Sequence, residues 1–244
     1  VAAGMLPLAA VATVGTTSST SVDPVPEVLR ICRAHGMWLH VDGAYGGVMG
    51  VVPERRDVLA GVDEADSFVV NPHKWLFTPV DCSALYTRRP DVLKRAFSLV
   101  PEYLTTSAPD AVTNYMDYGV QLGHRFRALK LWFVIRAFGA EGLAERIRYH
   151  CALAQEFAGW VDEDPAWERV APVPMSVVCF RYAPPGTSEE ERNALNERIM
   201  ADVNATGEMY LSHTKLDGRY TIRLAIGNLR TERRHVARAW ELLR

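Results

Sequence analysis

The chain has 244 residues, 48% of them hydrophobic and 23% charged, with a formal net charge of −2 and a pI near 6.4. Such a composition builds a core for one or two globular domains and argues against disordered, collagen-like or low-complexity architecture. The arginines are scattered rather than clustered with aromatics, which argues against a nucleic-acid partner, and Cys32, Cys82, Cys151 and Cys179 stand too far apart for a metal site or a disulfide framework, which fits a reducing cytoplasm.

Residues 1–14 are almost wholly apolar, and the first charged residue is Asp23. A membrane span does not fit: the run is shorter than the roughly 20 residues a helix needs, Pro7 breaks it, and no positive segment precedes it. A buried strand over 9–14, closed by Gly15, is the better reading. The chain begins without Met on what reads as the interior of a domain, so an upstream portion is expected. Asp23-Pro24 opens a helix through Val28, Leu29 and Cys32 that Gly36 ends. A buried strand over 37–41 then delivers Asp42, followed by the small-residue loop Gly43-Ala44-Tyr45-Gly46-Gly47. A short helix near 56–59 and a strand over 67–70 lead to Asn71-Pro72-His73-Lys74. Alternating short apolar runs and amphipathic stretches are the pattern of βαβ units and a mostly parallel sheet.

Residues 82–86 read as a further strand, and 98–117 as a long polar, irregular stretch of the kind that is often functional. Helices follow over 123–138 and 141–163. The style then changes to α+β, with a strand over 176–182, a capping box at Ser188-Glu189-Glu190-Glu191 starting a helix to about 205, and a hairpin of 210–216 and 220–226 turned at Asp217-Gly218. A last amphipathic helix starts at Thr231. The domain boundary is placed at 138/139, with a large α/β domain over 1–138 and a smaller α+β domain over 139–244.

Asp42 and Lys74 fall at the ends of two strands on one edge of the sheet, separated by one crossover, and ligands of open α/β sheets gather at such ends. An amine to hold an aldehyde and an acid to face a pyridine nitrogen are the minimum for pyridoxal 5′-phosphate (PLP) chemistry. The apolar flank Trp75-Leu76-Phe77 would desolvate the Lys74 ammonium and favour imine formation. By residue type alone, Lys74 also reads as a surface or ion-paired lysine.

Four ordered motifs, Thr13-Val14-Gly15-Thr16-Thr17, His40-Val41-Asp42-Gly43-Ala44-Tyr45-Gly46-Gly47, Asn71-Pro72-His73-Lys74-Trp75 and Asp81-Cys82-Ser83-Ala84, together resemble the group II PLP-dependent decarboxylases, which include the aromatic L-amino-acid decarboxylases. The similarity continues through Leu122-Gly123-His124-Arg125-Phe126-Arg127 and on to residues 220–226. It covers essentially the whole chain but only the C-terminal half or so of a family member. Gly43 and His124 depart from a common pattern of Ala and Arg, outside the positions that carry chemistry. The resemblance implies fold type I, a PLP-dependent transferase-like α/β sheet with helices on both faces, and a homodimer acting on a small-molecule amino acid.

By position, the resemblance implies that Lys74 carries the cofactor as a Schiff base, Asp42 pairs with the pyridine nitrogen, and Ala44 packs on a ring face. His73 and Asn71 would serve the phosphate side, and Thr17 would lie near the ring or Asp42. Tyr103, in Pro101-Glu102-Tyr103-Leu104, would be the mobile-loop tyrosine that protonates Cα. A structural turn for Asn71, a backbone-satisfying hydroxyl for Thr17 and an exposed loop tyrosine for Tyr103 remain alternatives. Arg125, Arg127 and Arg223 read as structural rather than as carboxylate clamps, because decarboxylation gains from a poorly paired carboxylate. Other readings are a PLP-dependent aldehyde synthase or aminotransferase of the same fold, or a noncatalytic fragment.

Overall fold

The computed structural model describes residues 4–98 and 113–244. Strand β1 (Ala9–Thr13) pairs in parallel with β2 (Trp38–Asp42), which pairs in parallel with β3 (Ser67–Val70), and β4 (Ala84–Thr87) closes the row antiparallel to β3. The mostly parallel sheet expected from the alternation of elements is therefore present, with one antiparallel strand. Between β1 and β2, α1 (Val25–His35) buries Val25, Leu29 and Cys32 at helical spacing. It stops at Gly36, whose φ of 64° lets the N–H groups of Gly36 and Met37 reach back to Arg33 and Cys32. The β2–β3 crossover is three 3-10 segments, Gly46–Val51, Pro53–Leu59 and Val62–Glu64, rather than an α-helix. A single four-residue helix, α2 (Pro72–Trp75), follows β3, and α3 (Pro90–Phe97) follows β4.

The long α4 (Arg127–Glu163) is two helices joined at Gly139, whose φ of 66° and ψ of 175° are non-helical. Its later part joins two cores. Leu143 and Ile147 pack with Leu39, Val41, Met49 and Trp75 under the parallel sheet. Farther along, Leu153, Phe157 and Val161 pack with Val178, Phe180 and Ile222. Those last residues belong to an antiparallel sheet ordered β5 (Trp167–Arg169), β6 (Val177–Tyr182), β8 (Arg219–Ala225), β7 (Ser212–Leu216). The α+β character expected of this part is thus observed, with β5 as an additional strand.

Helix α5 (Glu189–Ala205) starts at the expected capping box, where the Glu191 N–H reaches the Ser188 hydroxyl and the Ser188 N–H reaches the Glu191 carboxylate. The fully buried Asn196 takes the Tyr182 N–H on its Oδ1 and donates to the Tyr182 and Arg192 carbonyls, tying α5 to the end of β6. Helix α6 (Arg233–Leu243) supplies Val236, Trp240 and Leu243 to the same core. Among the described residues, no helix is long and apolar enough to cross a membrane, and no group of three or more His, Cys, Asp or Glu is placed to hold a metal.

Phe157 is the hub of the second core, with ring centroids 5.0 Å from Phe180 and 5.6 Å from Trp240 and no solvent exposure. Phe157→Ala is expected to cost about 3–5 kcal/mol in urea unfolding, and a loss below about 1 kcal/mol would contradict this packing.

Candidate active site

Asp42 is the last residue of β2, in register with Thr13 of β1 and Val69 of β3. Leu39 and Val41 are fully buried, while Trp38, His40 and Asp42 alternate onto the half-buried face. The strand hands its ladder on without a break: Val14 N–H reaches the Asp42 carbonyl at 2.8 Å and Gly43 N–H the Val69 carbonyl at 3.0 Å. The Asp42 carboxylate is fixed by the turn it begins, since Oδ1 accepts the Ala44 N–H at 2.9 Å. No second partner for this carboxylate occurs among the described residues. The turn presses against β1, with Gly46 N–H 3.1 Å from the Val14 carbonyl. A Cβ on Gly46 would lie 2.5 Å from that same oxygen, so only glycine fits there.

Lys74 is reached by a second turn hung from the first. The Asn71 N–H donates to the Ala44 carbonyl at 3.1 Å, and the Lys74 N–H donates to the Asn71 carbonyl at 2.9 Å. A continuous path of three hydrogen bonds therefore runs from the Asp42 carboxylate through Ala44 and Asn71 to Lys74. Pro72, at the first helical position, starts α2, so Lys74 sits on a helical turn beyond β3 rather than at the strand end itself. The Asn71 Oδ1 accepts the Ser83 hydroxyl at 2.6 Å. The His73 Nδ1 lies 2.9 Å from the Cys82 N–H and 2.6 Å from the Cys82 carbonyl; it accepts from the first or donates to the second according to tautomer. In both tautomers Nε2 remains for another partner.

Burial around Lys74 differs from the expectation. Trp75 and Leu76 are buried, but they point into the core beneath the turn, and Lys74 is exposed. The desolvating flank expected from the sequence is thus not supplied by the described residues. No hydrogen bond or ion pair engages the Lys74 amine among them. The chain has four lysines; Lys94 lies on α3, Lys130 on α4 and Lys215 on β7, which leaves Lys74 as the one at the C-terminal edge of the parallel strands.

A buried layer supports both turns. The Tyr45 and Trp75 rings stack at 4.8 Å with planes 4° apart. The Tyr45 hydroxyl lies 2.6 Å from the Ser176 Oγ, which donates to the Ile226 carbonyl at 2.7 Å, so Tyr45 is the donor in the first contact. Burial pushes the Tyr45 phenol well above its usual range. The Trp75 indole N–H donates to His150 Nδ1 at 3.1 Å, and burial pushes the His150 imidazolium down to about 4. His150, Ser176 and Tyr45 were not singled out from the sequence. The spacing of His150 with Ile147, Leu153 and Ala154 on one face of α4 was the available signal.

Thr17 is exposed on the loop after β1, outside the hydrogen-bonded path that joins Asp42, Ala44, Asn71 and Lys74. Arg223 holds that loop, donating to the Thr17 carbonyl at 2.6 Å, the Ser18 carbonyl at 2.8 Å and the Ser212 hydroxyl at 2.8 Å. Arg127 pairs with Asp81 at 2.9 Å and holds that carboxyl below its usual range. Arg125 is exposed. Tyr103 lies outside the described residues. An exposed amine, a carboxylate oxygen without a protein partner and the small side chain of Ala44 form a donor set that fits the aldehyde, the ring nitrogen and a ring face of PLP.

The family model described as "Pyridoxal-dependent decarboxylase conserved domain" matches residues 1–183. The chain is 45% identical over 246 residues to tyrosine decarboxylase 4 of Petroselinum crispum, covering 98% of this chain and 48% of that protein. It is 44% identical over 243 residues to phenylacetaldehyde synthase of Arabidopsis thaliana, covering 99% and 50%. Among solved structures, Oryza sativa TDC with PLP and tryptamine superposes with a TM-score of 0.94 at 41% identity, covering 99% of this chain and 51% of that one. The chain thus spans about half the length of the relatives it matches.

Two glycines make opposite predictions. Gly46→Ala, which drives a Cβ into the Val14 carbonyl, is expected to cost about 2–3 kcal/mol in urea unfolding. Gly159→Ala, inside α4 with open space around the new Cβ, is expected to stabilise by about 0.5–1 kcal/mol. Equal effects at the two sites would contradict the close approach at Gly46. For His150, burial favours the neutral ring, so the unfolded chain takes up the proton first. Its contribution to stability is complete above pH 6.5 and is lost as pH falls from 6.5 through about 4. His150→Asn should flatten that limb of a stability–pH curve, and an unchanged slope would contradict the burial of a neutral ring.

Proposed function

The chain belongs to the pyridoxal-dependent decarboxylases, and from that membership we propose that it decarboxylates an aromatic L-amino acid, with PLP held on Lys74, releasing CO₂ and the amine. The observation that carries this reading is the short hydrogen-bonded path from the Asp42 carboxylate to Lys74, which places an acid and an exposed amine on one sheet edge. Bound PLP supplies an electron sink for the bonds at the substrate's Cα. Lys74 would hold the cofactor through its amine, and Asp42 would keep a proton on the ring nitrogen. Ala44 would pack against a ring face. Asn71 and His73 would serve the phosphate side, and Thr17 the neighbourhood of the ring. Tyr103 delivers the proton that replaces the departing carboxyl at Cα.

Arg127 and Arg223 support decarboxylation over transamination. Arg127 is committed to Asp81 and Arg223 to the 17–18 loop, so neither is spent on the substrate carboxylate, whose strong pairing would stabilise the ground state. The aromatic branch is supported by the Petroselinum crispum and Oryza sativa proteins. We also infer a homodimer in the cytoplasm, and a division into domains at 138/139, beside the Gly139 break in α4.

A second reading, oxidative aldehyde synthesis, is favoured by the similarity to phenylacetaldehyde synthase. It predicts ammonia and hydrogen peroxide in step with aldehyde.

For the primary reading, borohydride reduction after PLP loading should place the pyridoxyl label on Lys74 by mass spectrometry, and a label on another lysine would overturn it. Carboxyl-labelled tyrosine, DOPA or tryptophan should release CO₂, with glutamate inert and Lys74→Ala inactive. Tyr103→Phe should lower amine formation by about a hundredfold or more, and an unaffected rate would remove Tyr103 from the mechanism.

A further inference from the structure

We propose that His150 is a positioning residue for Lys74, acting through the indole N–H of Trp75. The inference rests on Lys74 being the cofactor-bearing amine. Helix α2 is one turn long, too short to hold its own shape, so the direction of Lys74 depends on what anchors its neighbours. On the N-terminal side Asn71 and His73 are tied to Ser83 and Cys82. On the C-terminal side the anchor is Trp75, which has no solvent exposure.

The stack of Trp75 on Tyr45 fixes the distance between two planes but leaves each ring able to slide and turn within its own plane. The in-plane bond from the indole nitrogen to His150 Nδ1 stops that motion. Tyr45 directly follows Ala44, whose N–H holds the Asp42 carboxylate, so the stacked pair sets the Lys74 turn against the Asp42 turn. The indole only donates, so His150 is the neutral tautomer with its proton on Nε2. That Nε2 makes no hydrogen bond of regular geometry among the described residues, although the Asn228 backbone lies near enough to favour the protonated ring. The acceptor that His150 offers is what holds the Trp75 indole in its plane.

The test uses the full chain and four variants, H150F, H150N, W75F and H150F/W75F. Two quantities are read: the PLP concentration giving half-maximal pyridoxyl labelling of Lys74 on borohydride reduction, and the indole ¹H–¹⁵N resonances. The chain has six tryptophans, and W75F identifies the Trp75 signal by its loss. H150F should move the Trp75 resonance and raise the half-labelling concentration about tenfold, the effect of leaving one buried donor unpaired. H150N, whose side-chain oxygen can replace Nδ1, should stay within about twofold of wild type. In the W75F background H150F should add less than about twofold, because the donor is already gone.

Wild-type labelling in H150F, an unmoved Trp75 resonance, or a full H150F effect in the W75F background would each overturn the proposal. Should H150F not fold, W75F must show the loss and H150N must not, or the proposal fails. The cofactor assignment is judged separately: a wild-type label away from Lys74 would sink that assignment, and this inference with it, before any variant is compared.

Discussion

Everything at the candidate site hangs on the hydrogen-bonded path that leaves the Asp42 carboxylate, passes through the backbone of Ala44 and Asn71, and ends at the Lys74 N–H. Two turns at the ends of neighbouring parallel strands are thereby locked to each other, not only to the sheet. Parallel strands make this possible because their C-terminal ends lie on one edge, and unpaired backbone groups there are available to the turns that follow. Three hydrogen bonds, two of them between backbone groups, hold the Asp42 turn and the Lys74 turn to each other.

The second half of the chain holds this edge from behind. Helix α4 carries Leu143 and Ile147 into the first core and Phe157 into the second, so the two sheets cannot move apart without opening both. Ser176, just before β6, receives the Tyr45 hydroxyl, and Arg223 of β8 grips the carbonyls of Thr17 and Ser18. Its three bonds are to backbone and a hydroxyl, so among the described residues its charge pairs with no carboxylate. Its use is to orient a loop whose own sequence, rich in Ser and Thr, offers little packing.

Much of this was legible in the sequence because it is local. Short apolar runs marked β2 and β3, Gly36 ended α1, and the Ser188 box began α5 where it was read. Asp42, Ala44, Asn71 and Lys74 were picked out by residue type and motif, and the structure joins them. What was not legible is long-range or short in length. The four-residue α2 and the three-residue β5 are below the span at which periodicity can be seen. Trp75 meets His150 across 75 residues and Arg223 meets Thr17 across 206, and no pattern within either segment names its partner. Lys74 was expected among desolvating neighbours, yet the apolar side chains beside it face the core.

The central claim is that Asp42 and Lys74 bracket one cofactor. A crystal structure of the full chain grown with PLP measures this directly. The account predicts continuous density from the Lys74 Nζ to the cofactor's aldehyde carbon, with an Asp42 oxygen about 3 Å from the ring nitrogen. Density joined to Lys94, Lys130 or Lys215, or a ring nitrogen that faces a group other than Asp42, would contradict it.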